Sequence, residues 1–102
     1  MAKIGGMPEV SPPSHAFVYL LRCRDGSLYC GWSTDVARRV AAHEAGTASR
    51  YTRSRRPVAL AAAWRAPSPS AARRLEARVK RLSRAEKLRL LAGAPLEGAA
   101  PA

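Results

Sequence analysis

Acidic residues are scarce in this sequence. Seven Asp and Glu stand against 18 Lys and Arg, so the 102-residue chain carries a formal net charge of +11 at pH 7. This excess favours a polyanionic partner, either nucleic acid or an anionic membrane surface. Taken alone, the same charge could reflect only a biased genome that is rich in Arg and Ala codons, and composition leaves both interpretations open.

Long apolar runs and cysteine patterns are also lacking. No stretch approaches the ~20 apolar residues of a transmembrane helix, and no signal peptide is visible, so the expected location is cytoplasmic, without a membrane partner. Cys23 and Cys30 are the only cysteines. Neither lies in a metal-ligand or disulfide spacing, which indicates two free thiols.

The length of the chain fits one small domain. Residues 1–14 and 93–102 mix Gly, Pro and polar residues without periodicity, so both segments are expected to be disordered. The predicted folded domain is therefore 15–92.

A β-hairpin is predicted near the start of the domain. HAFVYLLRCR is rich in aromatic and branched residues, which predicts a strand, and SLYCGW is expected to form a second; Asp25-Gly26 between them is a strong turn signal. A two-residue loop, 25–26, and a three-residue loop, 24–26, both fit. Because side chains alternate along a strand, Tyr19 and Tyr29 share a face only with the three-residue loop or with a bulge.

A helix is predicted after the hairpin. Ser33 or Thr34 can cap its N-terminus, Asp35 suits the positive end of the helix, and Gly46 suits its C-terminal stop.

The helical wheel separates the polar residues of this helix. With ~100° between successive residues, Val36 and Val40 mark the side that faces the core. Arg39 and His43 are four residues apart and border this stripe, whereas Arg38 points to the opposite side.

The rest of the domain is predicted to contain a loop, a strand and two helices. Residues 46–57 form a loop with four arginines and one tyrosine, and PVALAAAW is expected to be a buried strand. Ser68-Pro69 opens a helix by its cap and N1 proline, and SRAE at 83–86 is a capping box for a short last helix. The predicted order is β-β-α-β-α-α, an α+β domain.

Several short motifs follow one another along the chain: Phe17-Val18-Tyr19, Tyr29-Cys30-Gly31 ten residues on, then Arg39 and Glu76. Together with the runs DVARRVAAH, RYTRSRRPV and LEARVKRLSRAEK, they make residues 16–90 resemble the GIY-YIG nuclease superfamily. The likeness is greatest to the small stand-alone GIY-YIG proteins of bacteria. The resemblance implies a small three-stranded antiparallel sheet flanked by helices.

The resemblance also implies a reaction and a set of site residues. The reaction is hydrolysis of a DNA phosphodiester bond with one divalent metal ion, Mg²⁺ or Mn²⁺. By position, the catalytic residues would be Tyr19, Tyr29, Arg39, His43 and Glu76, with Glu76 as the metal ligand.

Three positions depart from the family pattern. Phe17 stands in place of the first motif glycine, Cys30 replaces an aliphatic residue, and Glu44 follows the histidine where many relatives have Asn. The last departure affects a secondary polar contact and leaves the core of the site intact.

These residue types suit the cleavage of a phosphodiester, which needs an activated water, neutralisation of phosphate charge and help for the leaving oxygen. Mg²⁺ often takes only one or two carboxylates together with water and phosphate, so one glutamate can suffice. A guanidinium binds phosphate oxygens through two hydrogen bonds. A phenol is a poor base at its usual pKa of ~10, but nearby arginine and metal charge are expected to lower that pKa.

Each residue has a role in this hypothesis. Tyr29 would activate or orient the water, and Tyr19 would hold the phosphate or that water. Arg39 would stabilise the charged transition state, and His43 would assist proton transfer. Gly31 would remove a side chain where the DNA backbone approaches.

Each residue also has a purely structural interpretation. Tyr19 and Tyr29 could be ordinary strand aromatics, and the arginine-rich loop could be a solvated surface. Glu76 could pair with Lys80 or Arg73 on its own helix, for ~0.3 kcal/mol. Glu76 nevertheless lies ~80° from the centre of the apolar stripe, at the border of the buried face.

The predicted function is a divalent-metal-dependent DNA endonuclease, selective for DNA structure rather than sequence, that acts in DNA repair or processing. The alternative is a non-catalytic DNA-binding or RNA-binding module of the same fold. A monomer or a weak homodimer is expected, and the sequence does not identify a protein partner. Contacts with DNA are expected from six residues: Arg50, Tyr51, Arg53, Arg55, Arg56 and Lys80.

Overall fold

The computed structural model describes residues 15–102, so the segment 1–14, for which disorder is predicted, lies outside the described residues. Along the described part, the elements are β1 (Ala16–Arg22), β2 (Leu28–Ser33), α1 (Val36–Glu44), α2 (Arg50–Arg53), β3 (Ala59–Ala66), α3 (Pro69–Lys80), α4 (Arg84–Leu91) and β4 (Ala100–Pro101).

The first two strands form the predicted antiparallel hairpin. Leu21 lies opposite Tyr29, and the backbone N–H of Cys23 donates to the carbonyl of Ser27 at 2.9 Å. The loop therefore has three residues, 24–26. This register confirms that Tyr29 lies on the same face of the sheet as Tyr19.

The hairpin turn is tied to two remote elements. The backbone N–H of Arg24 donates to the carbonyl of Arg55 at 2.9 Å, and Arg55 Nε lies 3.1 Å from Asp25 Oδ2. On the other side, Arg84 Nη1 donates to the carbonyl of Gly26 at 2.9 Å. The turn thus contacts both the segment after α2 and the start of α4.

The N-cap of α1 is Asp35, so the predicted caps, Ser33 and Thr34, are wrong. Asp35 Oδ1 accepts a hydrogen bond from the backbone N–H of Arg38 at 3.1 Å. Ser33 Oγ is occupied because it accepts from the backbone N–H of Asp35 at 2.9 Å. The helix ends as predicted, with Gly46 just beyond it at a left-handed φ of 82°.

The segment 46–57 was predicted to be a loop, but it contains the short helix α2. Ser49 caps this helix, and its side chain accepts from the backbone N–H of Thr52 at 3.1 Å. One turn of helix is too short to show a hydrophobic periodicity, so only the Ser49 cap could have indicated it.

The two later helices begin at the predicted caps. The Ser68 side chain accepts from the backbone at the start of α3, and Ser83 forms the capping box of α4 with Glu86. Within residues 15–102, no helix is long and apolar enough to cross a membrane.

The antiparallel sheet has four strands in the order β2-β1-β3-β4, and the prediction of three strands is therefore wrong. The additional strand pairs Ala100 with Arg65 of β3. It belongs to the segment 93–102, which was predicted to be disordered. Leu96 of this segment is buried in the core, so apolar burial fixes the chain next to β3.

The sheet separates two apolar clusters. One face packs against α3 and α4 through Val18, Leu20 and Cys30. The other face packs against α1 and carries Tyr19 and Leu21. Because β2 is an edge strand, groups from both faces can approach its free side.

Candidate active site

Tyr19 and His43 form a buried pair between β1 and α1. The Tyr19 hydroxyl lies 2.9 Å from His43 Nε2, and the two residues are 1% and 0% exposed. The sequence placed His43 at the border of the helix stripe, but it points fully inward. Tyr19 therefore has no open surface for a phosphate.

Gly31 makes room for the Tyr19 ring. A Cβ at Gly31 would lie 2.6 Å from Tyr19 Cζ, which is closer than real contacts allow. The prediction that this glycine admits the DNA backbone is therefore wrong. Its missing side chain admits a phenol instead.

Two residues that the sequence analysis missed extend this pair. His43 Nδ1 lies 2.8 Å from Thr52 Oγ1, and Thr52 Oγ1 lies 2.8 Å from Ser49 Oγ. Thr52 is fully buried. The spacing Ser-x-x-Thr, with Ser49 as a helix cap, was the available signal. The four side chains form a hydrogen-bonded chain, Ser49–Thr52–His43–Tyr19, called the buried relay below.

Tyr29 lies beside the buried relay and is partly exposed. Its ring centroid is 5.0 Å from that of His43 and 5.8 Å from that of Tyr51. Tyr51 in turn lies under the guanidinium of Arg55, whose Cζ is 3.8 Å from the Tyr51 ring centroid. Tyr29 is thus held between a buried histidine and an aromatic–cation stack.

Arg39 lies at the solvent side of the same group. It lines a shallow depression at the end of β2 with Trp32, Ser33 and Thr34. Its guanidinium is near enough to Tyr19 to favour the phenolate, while Arg38 is exposed.

Burial dominates the protonation of the buried pair. It raises the pKa of Tyr19 to about 12, against the opposing pull of Arg39. Arg39 acts in the direction expected from the sequence, but burial outweighs it, and the further lowering by metal charge stays a prediction. For His43, burial and then the charge of Arg39 lower the pKa, which favours the neutral imidazole.

Two of the four arginines in 46–57 hold the segment together. Arg55 binds Asp25, as described above, and its Nη1 donates to the carbonyl of Tyr51 at 3.0 Å. Arg56 donates through Nε to the carbonyl of Arg53 at 3.0 Å and through Nη1 to the carbonyl of Glu44 at 3.3 Å.

Of the other charged residues near 46–57, two are exposed and one binds the backbone. The side chains of Arg50 and Arg53 lie on the exposed surface of α2. Glu44 Oε1 accepts from the backbone N–H of Val58 at 3.1 Å and so anchors the chain just before β3. The departure from Asn at this position therefore has a structural use.

Glu76 lies on α3, in the layer that packs against the opposite face of the sheet. Its carboxylate is 3.4 Å from Lys80 Nζ, with 21% of the side chain exposed. It also lies near Cys30 of β2, whose pKa is raised to about 12 by burial and, second, by Glu76. The helix ion pair considered from the sequence is thus present. Tyr19, Tyr29, Arg39 and His43 are grouped on one face, and Glu76 lies across the edge strand from them.

The capacity of this site for a metal ion depends on its donor side chains. In the part of the chain that the structure describes, no group of three or more His, Cys, Asp or Glu side chains could hold a metal ion. Glu76 is a single, partly exposed carboxylate at the sheet edge. It fits Mg²⁺ or Mn²⁺ in the mode in which the ion keeps several waters and takes one carboxylate plus substrate phosphate.

Comparison with known proteins gives the class of this domain. The family model of the GIY-YIG catalytic domain matches residues 15–89. The chain belongs to the GIY-YIG family.

Individual relatives agree with this assignment. The chain is 48% identical to the UPF0213 protein BH0048 of Halalkalibacterium halodurans over 79% of this chain and 88% of that protein. It is 51% identical to the UPF0213 protein NP_0776A of Natronomonas pharaonis over 74% of this chain and 89% of that protein. The solution NMR structure of BH0048 from Bacillus halodurans superimposes with a TM-score of 0.50 at 45% identity, covering 82% of this chain and 86% of that one.

Proposed function

We propose that this protein is a divalent-metal-dependent DNA endonuclease that hydrolyses phosphodiester bonds and selects DNA by structure, in DNA repair or processing. The observation that carries the proposal is the grouping of Tyr29, Arg39 and the buried Tyr19–His43 pair on one face of a strongly basic domain. Its membership of the GIY-YIG family supports the same reaction class.

The roles follow from accessibility. Arg39 is exposed and stays charged, so it binds the non-bridging oxygens of the scissile phosphate and stabilises the transition state. Tyr29 is the partly exposed phenol, so it orients the attacking water. Tyr19 is buried and stays protonated, so it acts as a positioning residue for His43 and Arg39.

Glu76 is the residue that would hold the metal ion, after release of its ion pair with Lys80. The ion, when bound, supplies positive charge to the phosphate and acidifies a bound water. Lys80 would then be free for a phosphate contact beside the edge strand.

The DNA surface is proposed to centre on α2. Arg50 and Arg53 are exposed there and supply phosphate contacts without base readout. Tyr51 and Arg55 stack on each other and support Tyr29, while Arg56 is held by carbonyl oxygens. In this proposal Tyr51, Arg55 and Arg56 keep these structural contacts and also touch DNA.

One observation favours the alternative of a DNA-binding or RNA-binding module that does not cut. Glu76 has a partner in Lys80 and lies on the other layer from the tyrosines. A module of this kind would use the same basic surface, and its phosphate contacts would not distinguish DNA from RNA unless the 2′-hydroxyl is read.

The deciding experiment measures cleavage of flap, nicked, single-stranded and duplex DNA in Mg²⁺, Mn²⁺ or EDTA. Wild type should cut a branched or flapped DNA only with metal. Glu76→Gln should lose cleavage while binding in EDTA persists or tightens, because a negative charge leaves a basic surface. Its stability should change by less than ~1 kcal/mol, as for a surface ion pair.

The matched control is Glu97→Gln, which makes the same charge change at an exposed residue near the C-terminus and should cut like wild type. Absence of cleavage of any DNA by wild type would favour the binding module. Equal cleavage by wild type and Glu76→Gln would place the metal elsewhere.

A further inference from the structure

The buried relay is the polar interior of an otherwise apolar cluster. Tyr19, His43 and Thr52 are each at most 1% exposed, and all buried side-chain polar atoms in the described residues have hydrogen-bond partners. Neutral imidazole has one donor nitrogen and one acceptor nitrogen. The distances therefore allow two opposite directions of hydrogen bonding along the relay.

The surroundings of Thr52 favour one direction. Thr52 Oγ1 lies 3.5 Å from the Ser49 carbonyl oxygen, which can only accept, and Ser49 Oγ already accepts from the backbone N–H of Thr52. A Thr52 hydroxyl that donates to Ser49 leaves its oxygen to accept from His43 Nδ1. Nε2 is then the acceptor nitrogen, and the Tyr19 hydroxyl donates to it.

The rest of the relay follows from that choice. With Nε2 as the acceptor, the proton of neutral His43 lies on Nδ1 and donates to Thr52 Oγ1 at 2.8 Å. The Thr52 hydroxyl then donates to Ser49, either to Oγ at 2.8 Å or to the carbonyl at 3.5 Å. Every hydrogen in the relay is satisfied.

We propose that Thr52 is a positioning residue that fixes His43 in the Nδ1–H tautomer. With this tautomer the phenol proton of Tyr19 is directed to Nε2. Thr52 thereby orients the Tyr19 hydroxyl without touching it. The effect of Thr52 on cleavage rests on the proposed function, whereas the tautomer does not.

The first test is ¹⁵N NMR of the histidine side chains near neutral pH, in the full chain without DNA. Wild type should have a protonated Nδ1 and an unprotonated Nε2 in His43. Thr52→Val keeps the shape but removes the acceptor, so the proton should move to Nε2, where the Tyr19 oxygen can accept it. Thr52→Ser keeps the hydroxyl and should keep the wild-type tautomer.

Thr47→Val is the matched control, because Thr47 is an exposed threonine of the loop before α2 whose hydroxyl donates to the Ala42 carbonyl. It should leave the His43 tautomer unchanged. An Nε2–H tautomer in wild type overturns the inference, and so does an unchanged tautomer in folded Thr52→Val. Should Thr52→Val fail to fold, the wild-type tautomer and its retention in Thr52→Ser still decide.

The second test separates this inference from the proposed function. Thr52→Val should lower kcat for a cleaved DNA by roughly 10- to 100-fold, by analogy with the partners that orient metal-bound histidines, with little change in KM. Thr52→Ser should restore most of the rate. If wild type has the Nδ1–H tautomer but cuts no DNA, only the proposed function fails. If wild type cuts DNA with the Nε2–H tautomer, only the inference about Thr52 fails.

Discussion

At the scale of single residues, adjacent arginines of α1 have different surroundings. Arg39 lies near the Tyr19 phenol and lines the depression at the end of β2, while Arg38 donates its backbone N–H to the Asp35 cap and extends its side chain into solvent. The helix wheel alone separated these two side chains, because their ~100° offset depends only on helix geometry.

Arg39→Ala should slow cleavage by about a hundredfold, because a charged contact made in the transition state is worth ~3 kcal/mol. Arg38→Ala removes the same charge from the same helix and is the matched control, with a much smaller effect expected. Single-turnover cleavage rates of the two folded variants make the comparison. Equal rates would show that the arginine role has been misassigned.

His43 predicts a specific dependence of stability on pH. Burial lowers its pKa in the folded chain, whereas the unfolded chain keeps a value near ~6.5. Below ~6.5 the unfolded state therefore binds a proton that the folded state does not, and the free energy of unfolding falls until the pH reaches the folded pKa. Above ~6.5 this contribution is fully present.

Urea unfolding between pH 7.5 and 5, at intervals of about half a unit, checks this dependence. His15→Gln removes the other imidazole and should leave the decline in place. Asp25 and Glu86, whose pKa values are lowered below their usual acidic values, lose their contribution only at more acidic pH. A stability that stays flat between pH 6.5 and 5 would contradict the buried neutral state of His43.

At the scale of elements, β1 and β2 pack together in a way that depends on the absence of a side chain at Gly31. Tyr19 lies opposite Gly31, and its ring fills the space where a Cβ would be. Gly31→Ala should destabilise the fold by ~1–3 kcal/mol, because the ring is held by His43 and overpacking cannot relax easily.

The measurement is the urea midpoint of Gly31→Ala against Gly93→Ala. At Gly93 a new Cβ meets nothing within 4 Å, and the cost there comes from its φ of 112° alone. Gly31→Ala should also displace the Tyr19 ring and shift its NMR signals, which Gly93→Ala should not do. A Gly31→Ala variant with an undisturbed Tyr19 would mean that the strands can separate to accept the methyl group.

The elements themselves were predictable where a residue marks their ends. Ser68, Ser83 and Gly46 each mark a helix terminus by their own chemistry, and the turn at Asp25-Gly26 marks the hairpin. The helix α2 and the strand β4 were missed, because one helical turn and two paired residues are too short to form a periodic pattern.

At the scale of the whole molecule, the features of the site that the sequence did not indicate depend on contacts between distant segments. The motif tyrosines and Arg39 could be identified from the family resemblance, but two hairpin loops fitted the sequence, so only the observed register fixed the common face of the two tyrosines. The partnership of His43 with Thr52 was not, because it depends on how α2 folds back on α1. Glu76 and the tyrosines lie in different layers for the same reason, since their separation depends on the packing of α3.

The distribution of positive charge gives a prediction for the whole molecule. Replacing Arg53 of α2 by Ala should reduce the slope of log K against log salt for duplex DNA by about 0.9, because one phosphate contact and its counterion are lost. Arg74→Ala changes the net charge equally on α3, where its Nη1 donates to Ser70 Oγ at 2.9 Å, and should leave the slope unchanged.

Filter-binding titrations from ~50 to ~200 mM salt provide the slopes. Two DNA duplexes of unrelated sequence should give the same change, because phosphate contacts carry no base readout. A larger loss of slope for Arg74→Ala than for Arg53→Ala would move the binding surface to α3.

The contacts of the hairpin turn with remote elements affect where the chain tolerates an insertion. Exposed turns with small and polar residues normally accept insertions, tags and dye-labelled cysteines. Here the turn at 24–26 contacts Arg55 on one side and Arg84 on the other, so an insertion would loosen two elements remote in sequence. Glu97, whose side chain is exposed, is the better attachment point for a reporter.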